Sequence, residues 1–291
     1  MQIEKGTNQH RPRMLVHGVT GVGKTTLGAG MPRPLFICTE DGTRFLGVDR
    51  LRPKSWDDML LSIAELRDDD HSYQTLVIDS IDHLEPLVWD YVCTQPDDKG
   101  RKHPHISAWP YGQGYARALS EWRILLSQLD QLSEKMRICL IAHTSVRPFK
   151  NPVGEDYDRY EIKLHRGASA LVQEWADVVG FAAFSDLNPI KQDGRKKAPN
   201  GASRTLHLQR RAAWDAKARF DSPAEVGLDW LELAKLIPGE PAFELGSAIR
   251  CQLSGAVQGK AEKAFAKAAT QQDLANLAER IKQHLSKGPK Q

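Results

Sequence analysis

Short, almost wholly apolar runs alternate along the chain with longer stretches in which apolar positions recur every three or four residues. The runs at 14–16, 35–38, 76–78, 138–142, 178–184 and 205–209 have the length and composition of buried strands. The stretches at 25–29, 56–67, 114–134 and 168–176 predict helices. The third of these is the clearest, because Leu119, Trp122, Leu125, Leu126 and Leu129 fall on one face of a helix. Strands separated by helices predict crossover units. The fold class that follows is α/β, with a mostly parallel sheet flanked by helices on both faces.

Three segments, 93–113, 145–167 and 185–203, mix proline and charge without a period. They read as long loops, and loops of that length in a compact domain are usually functional or disordered. After about Gly239 the composition shifts to Ala, Gln and Lys, and Leu274, Leu277, Ile281 and Leu285 form an apolar stripe behind the segment "TQQD". That segment resembles a capping box. The expected organisation is a core over 1–239 and a small helical C-terminal appendage over 240–291.

Composition narrows the class. Hydrophobic residues make up 41% and charged residues 26% of the 291 residues, as in soluble globular proteins. The net charge of +3 permits a nucleic-acid partner without arguing for one. Cys38, Cys93, Cys139 and Cys251 form no C-x-x-C pair and are expected as free thiols of a reducing cytosol. The N-terminal "MQIEKGTNQHRPR" lacks the apolar stretch of a secretory signal. No apolar run approaches the ~20 residues of a membrane span. A soluble, cytoplasmic protein with no membrane partner is expected.

The sharpest chemistry lies in "HGVTGVGKTT", residues 17–26. Gly18, Gly23, Lys24 and Thr25 satisfy G-x-x-x-x-G-K-[ST], and the motif sits between a predicted strand and a predicted helix, as it must. Glycines let the backbone curl so that successive N–H groups face a polyphosphate. Gly18, Gly21, Gly23, Lys24, Thr25 and Thr26 are therefore the candidate nucleotide-binding residues. Lys24 would bridge the β- and γ-phosphates and Thr25 would hold Mg²⁺. "TLVIDS" ends a strand on Asp79, a second candidate magnesium ligand. ATP and Mg²⁺ are the expected cofactors.

Hydrolysis also needs a base for the attacking water. The residue after Asp79 is Ser80, so the base must come from elsewhere. Glu40, in "PLFICTEDGTRF", follows a predicted strand. If that strand joins the same sheet, Glu40 opens onto the crevice of Lys24, because ligands sit beyond the carboxyl ends of parallel strands. Asp82 is the rival.

These segments together resemble the RecA superfamily. "LFICTEDGT" is similar to the segment in which RecA-type recombinases hold a catalytic Glu, and "LVIDS" to their Walker B. "CLIAHTSVR" resembles the core strand ending in a γ-phosphate sensor, here His143 or Thr144. A narrower resemblance, over roughly residues 11–237, is to phage-encoded RecA-like single-strand annealing proteins of the Sak group. It rests on the order of the P-loop, "YGQGY", "LIAHT", "EWADVVGF" and "AKARF". It implies an ATPase core that self-assembles on single-stranded DNA and promotes annealing, often with a single-strand-binding protein, in the cytoplasm of a bacterial host. It also implies DNA-facing loops at 93–113 and 145–167. The candidate DNA contacts there are Lys99, Arg101, Lys102, Trp109 and Tyr111, then Arg147, Lys150 and Arg159. Cations beside aromatics suit single strands, because cations track phosphates and rings stack bases. "WDAKARF" resembles the RecA segment that reaches a neighbour's γ-phosphate, which marks Lys217 and Arg219 as a candidate trans finger. Phe265 and Ala268 fit a subunit-joining F-x-x-A pattern, or pack in a helix. Two readings outside this family stay open: a P-loop ATPase with a signalling or assembly role, and a nucleotide-binding module that does not hydrolyse.

Overall fold

The computed structural model describes residues 11–185, 190–192, 195–197 and 203–238. The expected appendage, with its leucine stripe, Phe265, Ala268 and Cys251, lies outside the described residues.

In chain order the elements are β1 (Met14–Gly18), α1 (Lys24–Ala29), β2 (Pro34–Cys38), β3 (Asp49–Leu51), α2 (Trp56–Asp68), β4 (Thr75–Asp79), α3 (Ile81–Thr94), α4 (Gln113–Ser133), β5 (Arg137–Phe149), β6 (Tyr157–Ile162), α5 (Arg166–Trp175), β7 (Val178–Phe184), β8 (Ile190–Gln192), β9 (Arg195–Lys197), β10 (Arg204–His207), β11 (Lys217–Ala218), β12 (Glu225–Gly227) and α6 (Trp230–Ala234). The main sheet has the order β12-β10-β7-β1-β5-β4-β2-β3. From β7 to β3 all neighbours are parallel. β10, β11 and β12 are added antiparallel at the β7 side. The predicted α/β architecture is observed, with β5 inserted between the P-loop strand β1 and the strand β4 that ends in Asp79.

The strands read as continuous apolar runs because both faces are covered. Alternate residues divide between two cores, as strand geometry requires. Leu15, Leu35, Ile37, Leu76, Ile78, Ile138 and Leu140 pack with Met59, Leu84, Trp122 and Val172 of α2 to α5 on one face. Met14, Val16, Phe36, Val77, Cys139 and Ile141 pack with Leu27 of α1 and Trp230 of α6 on the other. Helix α2 is started by the Ser55 side chain, which accepts from the Asp58 amide at 3.1 Å, while the Asp58 carboxylate accepts from the Lys54 amide. The first bond satisfies an amide that a helix start leaves unpaired, and the second ties the residue before the cap to the first turn. Cys38, Cys93 and Cys139 are free thiols.

Two expected loops turn out to be structured. The segment 145–167 is mostly an antiparallel ribbon: β5 runs on to Phe149 and pairs with β6 from Thr144↔Ile162 to Phe149↔Tyr157. Its cross-strand partners, rather than any apolar alternation, hold it extended. Within 93–113, α3 reaches Thr94, α4 starts at Gln113, and two short 3-10 turns lie between. Helix α3 shows Ile81, Leu84, Val88 and Val92 at helical spacing. Pro86 in its second turn argues locally against a helix, and burial of that apolar face overrides it.

Glu85 faces inward from α3, with 5% of its surface exposed. Both carboxylate oxygens accept from the His165 amide, at 2.9 and 3.0 Å. Burial, reinforced by the charge of Asp82, pushes Glu85 up to about 7, which the His165 bond and Arg147 only partly oppose. The native state therefore binds a proton that the unfolded chain releases near its ordinary carboxylate value. The stability from this proton is complete at low pH and is lost as pH rises from about 4.5 to about 7. Glu85→Gln is expected to flatten that part of the stability–pH curve by about 2–3 kcal/mol. Urea melts at pH 5 and pH 7.5 measure it, and an unchanged difference between wild type and variant would show that Glu85 is ionised in the fold.

Candidate functional site

The carboxyl ends of β1, β2, β4 and β5 meet at one edge of the sheet. Gly18 is level with His143 of β5 and with Ala182 of β7. A Cβ on Gly18 would stand 2.2 Å from the Ala182 carbonyl oxygen, so only glycine lets the chain leave the sheet there. The turn then passes through Gly21 and Gly23, at φ 78° and 106°. Gly23 caps α1 in the left-handed region, so its amide and those after it open onto the crevice.

Lys24 is buried, and its Nζ donates to the carbonyls of Gly18 and Val19, both at 3.0 Å. Burial lowers its pKa, which Asp79, Asp82 and Glu40 counter. Thr25 Oγ1 donates to Asp79 Oδ2 at 2.7 Å. The other oxygen, Asp79 Oδ1, is buried without a partner. Burial raises Asp79, and the Thr25 bond lowers it. A hydroxyl and a carboxylate with a spare oxygen form a hard oxygen donor pair, so these residues fit Mg²⁺. The backbone nest and Lys24 fit a polyphosphate.

Glu40 follows β2, which pairs directly with β4 so that Cys38 is level with Asp79. Thr39 locks the two strand ends together. Its Oγ1 donates to the Ser80 carbonyl at 2.7 Å and accepts from the Ser80 amide at 2.9 Å, and its amide donates to the Asp79 carbonyl. Glu40 thus stands beside Asp79 on the expected edge, with His83 Nδ1 3.2 Å from its Oε2. Asp82, the rival carboxylate, has 1% side-chain exposure. Burial alone would raise it, yet hydrogen bonds from the His143 ring, the His143 amide and Ser80 hold it down to about 2. It serves His143 rather than the crevice. Thr144, the alternative to His143, has a buried Oγ1 without a partner.

The structure adds Arg204, which the sequence reading missed. Strand β10 returns antiparallel to β7 with Arg204 level with Phe184, two residues past Ala182. This carries its guanidinium over the P-loop: a Cβ on Gly23 would lie 2.9 Å from Arg204 Nη1. No local signal marks that arginine, since only strand register brings it there.

The expected DNA contacts divide. Lys99, Arg101, Lys102, Tyr111, Arg147 and Lys150 are exposed. Arg101 is tied to Asp97 at 2.9 Å, and Arg147 lies 3.8 Å from Glu161. Trp109 and Arg159 correct the sequence reading, because both are inside the fold. Trp109 is 2% exposed, with the Arg117 guanidinium over its ring and His103 at 4.4 Å. Arg159 is 5% exposed and pairs with Asp215 at 2.7 Å. A ring and a cation so enclosed cannot meet a base or a phosphate without leaving the core.

Lys217 lies on β11 level with Val179, toward the start of β7 and away from the edge that holds Lys24. Arg219 donates to Asp177 at 2.9 Å and to the Glu174 carbonyl. Asp177 also binds Arg13. Neither cation belongs to the nucleotide crevice of its own chain.

No helix among the described residues is long and apolar enough to cross a membrane. No curated protein matches the chain. Among solved structures, the flagellar accessory protein FlaH from Methanocaldococcus jannaschii is similar at a TM-score of 0.37 and 8% identity, over 75% of this chain and 84% of that one. The model of the AAA_24 family, described as an AAA domain, matches residues 10–220. That span holds the P-loop, Glu40, Asp79 and His143, and the chain belongs to this AAA domain family of nucleotide-binding P-loop ATPases.

Proposed function

We propose that the chain is a Mg²⁺-dependent ATPase of phage recombinase type, which assembles with copies of itself on single-stranded DNA and promotes annealing. The observation behind the ATPase half is the convergence of Lys24, the Thr25–Asp79 pair and Glu40 on one sheet edge. The backbone amides after Gly21 orient the phosphates. Lys24, held on two carbonyls, exchanges these for phosphate oxygens at little cost. Mg²⁺ held by Thr25 and Asp79 would neutralise charge on the phosphates. Glu40 accepts the proton of the attacking water. His143, fixed by Asp82, is the candidate γ-phosphate sensor. Lys217 and Arg219, away from their own crevice, are suited to serve a neighbour's.

Arg204 contributes a cation against the glycine that cups the phosphates. Arg204→Ala is expected to weaken ATP binding by about tenfold, the lower end for a hydrogen bond to a charged group. Calorimetric titration of a non-hydrolysable ATP analogue measures this, and unchanged affinity would leave Arg204 a surface cation.

The DNA half is supported by the family resemblance and by exposed Lys99, Arg101, Lys102 and Tyr111, the last fully exposed at 101%. ATP turnover with and without single-stranded DNA tests it. Strong stimulation is the expected result. Turnover indifferent to DNA would favour the signalling or assembly ATPase, and no turnover at all the non-hydrolysing module. Replacing Lys99, Arg101 and Lys102 by alanine is expected to lower the salt slope of single-strand binding by ~0.7 for each phosphate no longer neutralised. An unchanged slope would take this segment off the DNA surface.

A further inference from the structure

Glu40 has two histidine neighbours, and the proposed hydrolysis uses only one of them, His143. Glu40 comes from the turn after β2, His83 from the first turn of α3 and His143 from β5. One ligand atom from each lies within 4.8 Å of the others. His83 Nδ1 is 3.2 Å from Glu40 Oε2, and His143 Nε2 is 3.9 Å from Glu40 Oε1. The two rings meet edge to face at 5.6 Å.

The hydrogen bonds around this cluster orient its two rings. His143 Nδ1 is 3.1 Å from Asp82 Oδ2 and 3.3 Å from Oδ1. A carboxylate only accepts, so Nδ1 carries the proton. In the neutral ring Nε2 is then a bare lone pair, aimed at a second acceptor, Glu40. His83 Nδ1 has the Ser80 hydroxyl at 2.8 Å. In a neutral His83 ring whose proton sits on Nε2, Nδ1 presents a lone pair, which a metal ion would take in place of the Ser80 contact. A cation placed between these two nitrogens and the Glu40 carboxylate would be bound by all three, in place of the protons that otherwise link them. Asp82 supplies the outer support such a site requires, because a carboxylate on the far nitrogen of a ligating histidine fixes its tautomer and raises its basicity. Asp82 is itself anchored by the His143 amide at 3.0 Å.

We propose that Glu40, His83 and His143 form a three-ligand site for a borderline divalent transition ion of the Zn²⁺ type, and that occupancy shuts off ATP hydrolysis by engaging the Glu40 carboxylate. Imidazole with carboxylate selects such ions over Mg²⁺, which prefers oxygen donors. Tetrahedral bonds of the usual length set ligand atoms about 3.3 Å apart. The 3.2 and 3.9 Å separations, which run to different oxygens of Glu40, lie on either side of this within an overall spread of 4.8 Å, and side-chain rotation closes the rest. Three protein ligands leave a fourth position open to water. The oxygen pair of Thr25 and Asp79 stays separate and free for magnesium. The inhibitory consequence rests on reading Glu40 as the base; the binding site does not.

The test uses Co²⁺ as a spectroscopic probe, titrated into the full chain without nucleotide and in excess Mg²⁺. One equivalent is expected to give the visible absorption of a low-coordinate nitrogen–oxygen site, displaced by Zn²⁺. His83→Ala and His143→Ala should each abolish it, and Asp82→Asn should weaken it ~10–100-fold. His83 is 42% exposed in its side chain, so His83→Ala should keep the fold and its ATP turnover in metal-free buffer while escaping inhibition by Zn²⁺. No cobalt spectrum in the wild type, or an undiminished one in His83→Ala, would overturn the site. Equal Zn²⁺ inhibition of wild type and His83→Ala would overturn its regulatory role. The cobalt readout needs no hydrolysis, so absence of ATPase activity would refute the catalytic reading without touching this one.

Discussion

Replacing Lys24 by alanine is expected to abolish ATP turnover and to weaken ATP binding. The ammonium is buried at the crevice floor with two carbonyl partners that a phosphate can replace. In that low-dielectric position a positive charge aimed at developing phosphate charge has most effect, and loss of one such donor costs ~10²–10³ in rate. Alanine leaves the carbonyls of Gly18 and Val19 facing the phosphates, so repulsion adds to the loss. Steady-state turnover with calorimetric binding measures both effects. Undiminished hydrolysis by a well-folded Lys24→Ala protein would refute the P-loop reading, whatever the fate of the DNA proposal.

Glu40→Gln is expected to lower turnover by ~10²–10⁴, the usual share of a general base, with ATP binding retained. The amide keeps the shape of the carboxylate and can still meet His83, so the turn locked by Thr39 should not move. The comparison with Asp82→Asn decides between the carboxylates. Asp82 is enclosed and occupied by His143, so its loss should act through the position of His143. If Asp82→Asn stopped turnover and Glu40→Gln did not, the base would be Asp82.

The site divides according to how far each residue's role depends on its own neighbours in the chain. The P-loop was legible because its glycines, lysine and threonine are consecutive, and the physics they serve is local: a backbone that must curl and a helix that must start. The alternating strands and the α4 stripe were legible for the same reason, since period alone tells a residue which face it is on. Glu40 was an intermediate case. Its position after a strand was readable, but its place beside Asp79 depended on β2 pairing with β4, two segments distant in the chain.

Other features had no local trace. Helix α3 hid behind Pro86 because burial of Ile81, Leu84 and Val88 outweighs one missing backbone bond. The β5–β6 ribbon read as a loop because its strands are polar and are held by each other. Trp109 and Arg159 looked like DNA contacts because composition cannot distinguish an exposed ring or cation from one enclosed by Arg117 and His103, or by Asp215. Arg204 reaches Gly23 only through the register of β10 on β7. The Glu40–His83–His143 cluster joins a turn, a helix start and a strand. The sequence by itself determined the α/β class, the phosphate cradle and its strand-to-helix setting. Tertiary structure alone decided which distant side chains share the crevice, because strand order and register are set by packing summed over the whole sheet.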